Sequence, residues 1–357
     1  MNPHLQPWSI LAEEFPADGF VSDRIEFLLR YAVLAPSRLN SQPWLFRLHH
    51  NDVEFLADLR RTLPTVDSRN RELHIACGAA LYNFRVAAEY FGQSHTVELL
   101  PSPARPEVLA RVRLGQVMDT SSEDVVLFHA ITERRTNRGR FLTDPIPEPV
   151  LGELADAADM ESAWLVLVTD EAARLELARL VAEADRLLWS DRAFRRDVAR
   201  WVRTDTEHQA DGLSTRDFGV SDWIAFAGPS LVRAFDRGNE RATVDLDYAA
   251  HAPALAALGT EGDEPLHWLR AGMALQRVLL HAQSQGVAAS YLNQPIEVEE
   301  LRFRMAGMLG RNGQPQVLLR LGYAGEVPPT PRRSVKHVLL HQESSAHAHG
   351  HTQTPAR

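Results

Sequence analysis

Two segments of this chain, 194 residues apart, repeat one pattern that few folds accommodate. Gly78, Ala80, Leu81, Ala88 and Gly92 align with Gly272, Ala274, Leu275, Ala282 and Gly286. Each copy reads as a long amphipathic helix with a glycine inside it and a terminating glycine 14 residues later. Glycine in a helix interior costs about 1 kcal/mol relative to alanine, so a repeated one points to close helix contact. Five matches in such a window also arise by chance in Ala/Leu-rich helices, but the neighbouring elements recur in the same order. The pattern therefore favours two related modules in one chain, a covalent pseudo-dimer.

The remaining elements give an α+β reading with helices grouped around mixed sheets. Helices are expected at about 22–34, 71–91, 124–134, 171–189, 265–285 and 297–309. Strands are expected at 96–100, 108–114, 164–168, 287–292 and 316–321, with a hairpin of 45–49 and 53–56 around His50-Asn51-Asp52. The first module is placed at 1–120 and the second at 121–341. Residues 191–262 read as a lid-like insertion, because loops of that length tend to be functional or disordered. Trp201, Trp223 and Phe226 lie there among Arg203, Asp205, Arg216, Asp217 and Asp222. The polar tail 342–357, with His347, His349 and His351, reads as disordered.

The 357 residues are 45% hydrophobic and 24% charged, which excludes a disordered, collagenous or coiled-coil chain. Cys77 is the only cysteine, so no internal disulfide forms. The net charge of −9 argues against broad nucleic-acid binding. No apolar run approaches the roughly 20 residues that span a bilayer, and no signal peptide is visible, so a cytoplasmic protein without membrane partners is expected. His74 and Cys77, three apart on a helix, read as core, and no metal site is expected. No Gly-x-Gly-x-x-Gly, P-loop or Gly-x-Ser-x-Gly motif is present.

Three clusters carry candidate chemistry. In Ala35-Pro-Ser-Arg-Leu-Asn-Ser-Gln-Pro-Trp44, Pro36 halts a helix and Ser37, Asn40 and Gln42 offer polar groups suited to a planar ligand. The same residues suffice for an ordinary helix end and turn, and on residue chemistry alone that reading comes first. Arg134, Arg135, Arg138 and Arg140 cluster at a helix end, where cations suit the helix dipole. Four arginines in seven positions of an acidic protein point further, to an anion site. Pro331-Arg332-Arg333-Ser-Val-Lys336 is a second basic cluster, and the two together with Thr136 can clamp one phosphate.

On Ala35–Trp44, Gly78–Gly92, Arg134–Phe141, Gly272–Pro295 and Thr330–Val335, the chain resembles the FMN-dependent nitroreductase family, especially its branch with two fused modules. The resemblance implies a nitroreductase-like α+β fold and an FMN site shared between the modules. It places Arg134, Arg135, Thr136 and Arg138 on the phosphate and ribityl side, and Arg332 and Arg333 on the phosphate. Pro36, Ser37, Asn40 and Gln42 would approach from the opposite module, and Ala288, Ala289 and Ser290 would lie beside flavin N5. Family members often carry Glu-Gly where this chain has Ala288-Ala289. Arg138 is the candidate stabiliser of charge on the reduced ring; no residue is assigned as catalytic.

Only Arg24 and Arg30 precede Ala35, and Leu-Thr-Asp-Pro-Ile-Pro-Glu-Pro follows Phe141, so one intact and one degenerate site are expected. The implied activity is ping-pong hydride transfer from NAD(P)H through FMN to a small nitroaromatic or quinone. The alternative is a non-catalytic protein that stores FMN beneath the insertion. The chain would act as a monomeric pseudo-dimer or a homodimer.

Overall fold

The structure, a computed structural model, describes residues 3–49, 51–204, 209–214 and 228–340. His50, Asp205, Arg216, Asp217, Asp222, Trp223, Phe226 and the tail histidines lie outside the described residues. The first half runs α1 (Val21–Ala32), β1 (Trp44–His49), β2 (Asp52–Ala57), α2 (Arg71–Tyr90), β3 (Gln93–Leu99) and β4 (Val108–Val117). Then come α3 (Ser122–Glu133), α4 (Glu148–Asp159), β5 (Trp164–Val168), α5 (Glu171–Ser190) and α6 (Arg192–Ala199). The short strands β6 (Val202–Arg203) and β7 (Leu213–Ser214) precede α7 (Gly228–Ala234), α8 (Gly238–His251) and β8 (Ala254–Thr260). The chain ends with α9 (Pro265–Ser284), β9 (Ala288–Tyr291), α10 (Gln294–Glu297), α11 (Glu299–Leu309), β10 (Gln314–Gly322), α12 (Val335–Val338) and β11 (Leu339–Leu340).

The architecture is α+β. One sheet has the order β11-β1-β2-β4-β3 and the other β5-β8-β10-β9. Leaving out β11, each sheet orders its strands first, second, fourth, third in the chain, and each has its long helix between the second and third. Strand β11 pairs in parallel with β1, so the end of the described chain completes the first sheet.

Helices α2 and α9 pack at the centre with Gly78 against Gly272. A Cβ on Gly78 would overlap the Leu269 carbonyl and stand 3.0 Å from Gly272 Cα. Other contacts keep the same spacing: Arg69 donates to Asp263 at 3.1 Å, and the His74 and Trp268 rings meet at 5.4 Å. On the same helix, the His74 ring bonds the Asn70 carbonyl at 2.6 Å and Cys77 is buried.

Residues 191–262 are not one irregular insertion. They hold α6, α7 and α8, and 254–260 is β8, a central strand of the second sheet with all seven residues buried. Its sequence Ala-Leu-Ala-Ala-Leu-Gly-Thr has high helix propensity and no alternation. Pairing with β5 on one side and β10 on the other overrides that preference. Helix α4 was likewise absent from the expectation, its start hidden in the proline-rich 144–149 stretch; Pro149 sits in its first turn, where a missing N–H costs nothing. Among the described residues no helix is long and apolar enough to cross a membrane.

Candidate functional site

The segment after α1 bends sharply. Leu39, Asn40 and Gln42 have φ of 49°, 54° and 51°, three non-glycine residues in the left-handed region within four positions. Such residues cost roughly 1–3 kcal/mol each unless their surroundings hold them. Ser37 Oγ accepts from the Gln42 N–H at 2.8 Å. Asn40 Nδ2 donates to the Pro331 and Gly212 carbonyls, both at 3.1 Å, and Asn40 Oδ1 accepts from Arg332 at 2.9 Å. Gln42 Oε1 accepts from the Arg333 N–H at 2.8 Å and its Nε2 donates to Ala210 O at 2.7 Å. The turn is thus clamped by residues 210–212 on one side and 331–333 on the other.

The arginine loop is positioned by two devices. Ser121 and Asp124 form a reciprocal capping box that starts α3, and Arg134 is the residue that caps its far end. Beyond it, Thr136 bridges Ala289 in parallel, and the Asn137 N–H donates to Ala289 O at 3.1 Å. Arg135 and Arg332 flank the Trp8 indole, their guanidinium carbons 4.0 and 4.9 Å from the ring. Trp8 Nε1 donates to Thr330 O at 2.8 Å, which holds the N-terminal segment under the cluster.

Arg134 is 3% exposed and has no hydrogen-bond or ion-pair partner on its guanidinium among the described residues; its buried Nε is unpartnered, as is Arg332 Nε. Desolvation, first, and the neighbouring Arg134, Arg135 and Arg138 charges push Arg332 well below an arginine's usual range. Desolvation chiefly lowers Arg134 too, and it lowers Arg135 to about 10. These buried cations converge with N–H groups unused instead of forming a stabilising ion-pair network, a chemistry suited to an anion.

These arginines line one end of a cavity of about 650 Å³. Pro36, Ser37, Asn40, Arg134, Arg135, Thr136, Arg138, Ser290 and Arg332 are brought together on its wall. Gln42, Ala288, Ala289 and Arg333 are not on it. Gln42 and Arg333 bond to each other behind the turn, with Arg333 Nη1 on Gln42 O at 3.1 Å. Ala288 and Ala289 pair with Gly322 and Leu321 of β10. Arg24 and Arg30 lie apart from this wall, donating to Gln93 and Glu14 at 2.7 and 2.8 Å.

Sequence reasoning missed the rest of the wall. Arg38 pairs with Glu72 at 3.2 Å and Glu297 at 2.7 Å, and burial pushes the Glu297 carboxyl up. Asp185 and Trp189 come from α5, and Phe194, Val198, Leu213 and, on α8, Arg241, Asp245 and Tyr248 from the stretch read as a lid. The available signals were an acidic residue one helical turn before a tryptophan at 185 and 189, and Asp245 and Tyr248 at the same sort of spacing.

The nitroreductase family model matches residues 131–323. "Putative NAD(P)H nitroreductase Rv3131" of Mycobacterium tuberculosis is 32% identical over 329 residues, covering 89% of this chain and 91% of that protein. "Putative NAD(P)H nitroreductase acg" of the same species is 29% identical, covering 91% and 97%. Among solved structures, the FMN and NADPH-dependent nitroreductase NfnB from sphigopyxis sp. strain HMH aligns with a TM-score of 0.40 and 20% identity, over 61% of this chain and 99% of that one. A family model spanning more than half the chain, and a relative of this identity matched along nearly its whole length, place the chain in the nitroreductase family.

Proposed function

We propose that this chain is an FMN-dependent NAD(P)H oxidoreductase of the nitroreductase type, built from two fused modules with one working flavin site. The observation that carries the reading is the buried Arg134, without a partner among the described residues, beside Arg135 and Arg332 at the end of a cavity of flavin-compatible size. FMN, when bound, would supply the hydride chemistry at its N5. The chain's own task is binding and orientation. Arg134 and Arg332 would take the phosphate, with Arg135 held against Trp8 beside them. The strained turn would present Ser37 and Asn40 from the first module, and Ser290 from β9 would face the same space. Arg138 remains the candidate for offsetting negative charge on the reduced ring.

The fusion is supported by Gly78 against Gly272, by the repeated strand order, and by contacts that keep the 194-residue spacing. NADH and NADPH, and nitroaromatics and quinones, are the reductants and acceptors to assay. The test is the visible absorbance of the purified protein, followed anaerobically after adding NADPH and then NADH. Bound flavin that bleaches within the mixing time supports the reductase; protein that neither carries nor takes up FMN sinks it.

A second reading, flavin storage, is favoured by one observation. Residues 210–213 are clipped onto the turn, with reciprocal bonds between Asn40 and Gly212, and Asp211 paired with both Arg61 and Arg203. Flavin that binds but stays oxidised with both nicotinamides would select this reading.

A further inference from the structure

The cavity is bipolar. Its arginine end suits a phosphate, whereas the end formed by α5 and α8 is acidic and aromatic. There Asp245 is bidentate on Arg241, at 2.8 and 2.9 Å, and also faces Arg320. Asp185, 1% exposed, makes no direct ion pair among the described residues; it shares the field of Arg241, whose hydrogen bonds go to Asp245. Its Oδ1 accepts from Gln294 Nε2 at 3.3 Å, an amide that also serves Asp245 at 2.9 Å; its Oδ2 has no donor among the described residues, and the protonated carboxyl can hydrogen-bond the Asp245 carboxylate. The other charges around it are engaged elsewhere. Arg38 from the turn pairs with Glu72 and Glu297, and Arg195 of α6 donates to the carbonyls of Trp189 and Ser190. Glu183 of α5 and Arg304 of α11 pair at the surface. Trp189 sits one turn along α5 from Asp185 and lines the same cavity.

Two buried carboxyls sharing one arginine are costly if both are ionised, and two outcomes relieve Asp185: it takes a proton, or a ligand brings a second cation. We propose that the Asp185–Trp189 end of the cavity binds a protonated amine on an aromatic or apolar body, so that ammonium-bearing ligands are taken in preference to their neutral isosteres. The carboxylate supplies the counter-charge and the indole face adds a cation–π contact. Burial, first, and the Asp245 charge, second, hold Asp185 above the ordinary carboxylate range, so the free protein keeps a proton there. An incoming ammonium displaces it. This inference rests on the reductase reading only for what occupies the arginine end.

Binding of benzylamine and of benzyl alcohol is measured by calorimetry on the full chain as purified, without reductant. Two buffers of different ionisation enthalpy, near neutral pH, report the protons exchanged. The expected result is benzylamine at least about tenfold tighter than the alcohol, with about one proton released per amine bound. Asp185→Asn should cut amine affinity about tenfold, abolish the proton release and leave alcohol binding unchanged, which also shows the cavity intact. Trp189→Leu should weaken the amine more than the alcohol while proton release persists. Equal affinity for the two probes, no amine binding, or a proton count unchanged in Asp185→Asn overturns the proposal. Flavin content and bleaching are scored separately, so either reading can fail alone.

Discussion

Gly78 and Gly272 touch across the centre of the molecule, each where a methyl group would strike the other's helix. A Cβ on Gly272 would overlap the Ile75 carbonyl and stand 2.9 Å from Gly78 Cα, mirroring the clash that a Cβ on Gly78 would make. The contact brings α2 and α9 close enough for Asn83 and Gln276, both fully buried, to share a hydrogen bond of 2.6 Å. Alanine at either position must push the helices apart, because backbone atoms cannot swing away. Gly78→Ala and Gly272→Ala are each expected to destabilise by about 3 kcal/mol, measured by urea unfolding. A loss below about 1 kcal/mol would mean the helices slide at little cost.

Arg134 gives a prediction with two opposite signs. A buried cation without a partner weakens the empty protein but strengthens binding of an anion. Arg134→Met should raise the stability of flavin-free protein by about 1 kcal/mol or more, and lower FMN affinity about tenfold to a hundredfold. Denaturation of the flavin-free protein and flavin titration by absorbance check the two halves. Unchanged FMN affinity would remove Arg134 from the phosphate site.

Arg333 should behave differently from Arg332, although they are adjacent. Arg332 faces the cavity, whereas Arg333 holds Gln42 from behind. Arg333→Ala should weaken FMN retention less than Arg332→Ala, acting through the turn. Equal losses in a flavin titration would place both on the phosphate.

Asn40→Ala removes the side chain that joins the turn to Gly212, Pro331 and Arg332. The expected cost is about 2–3 kcal/mol, with weaker flavin retention, because the two carbonyls lose their donor. Asn40→Asp, which keeps the bond from Arg332 but loses the amide donors, should fall between, as read by thermal melting with and without FMN.

Glu89 and His95 lie 3.7 Å apart, yet burial raises Glu89 to about 7 and lowers His95 to about 4. Near pH 6 they are two neutral groups rather than an ion pair. A carboxyl whose folded value lies above its unfolded one supports the fold below the unfolded value and loses that support as pH rises through the folded value. For Glu89 the loss runs from about 4.5 to about 7 and amounts to up to about 3 kcal/mol. His95 has the opposite slope, gaining support as pH rises from about 4 toward 6.5, so the two offset each other in the overlap. Glu89→Gln should therefore gain on the wild type at pH 8 and not at pH 4.5, by urea unfolding at both values.

Much of this was legible in the chain. The two long helices announced themselves by apolar period and glycine position, the strand at 164–168 by an unbroken apolar run, and the arginine loop by charge density at a helix end. These signals are local, set within one or two turns of backbone. The resemblance to known nitroreductases then gathered Pro36, Ser37, Asn40 and the arginines onto one site, and the fold brings Pro36, Ser37, Asn40, Arg134, Arg135, Arg138 and Arg332, but not Arg333, to one wall.

Tertiary structure decided the rest. Residues 254–260, within the stretch read as an insertion, become strand because two neighbours offer their edges. Arg333 looks like Arg332 in the chain, but Gln42, 291 positions away, draws it behind the turn. Trp8 reaches the arginines only because its indole N–H finds Thr330, and Asp185 meets Asp245 only because α5 lies on α8. Local propensity and charge pattern determined most of the elements and the clustering of the arginines. Which polar groups ended buried without a partner, and hence what the cavity can hold, depended on contacts between residues far apart in the chain.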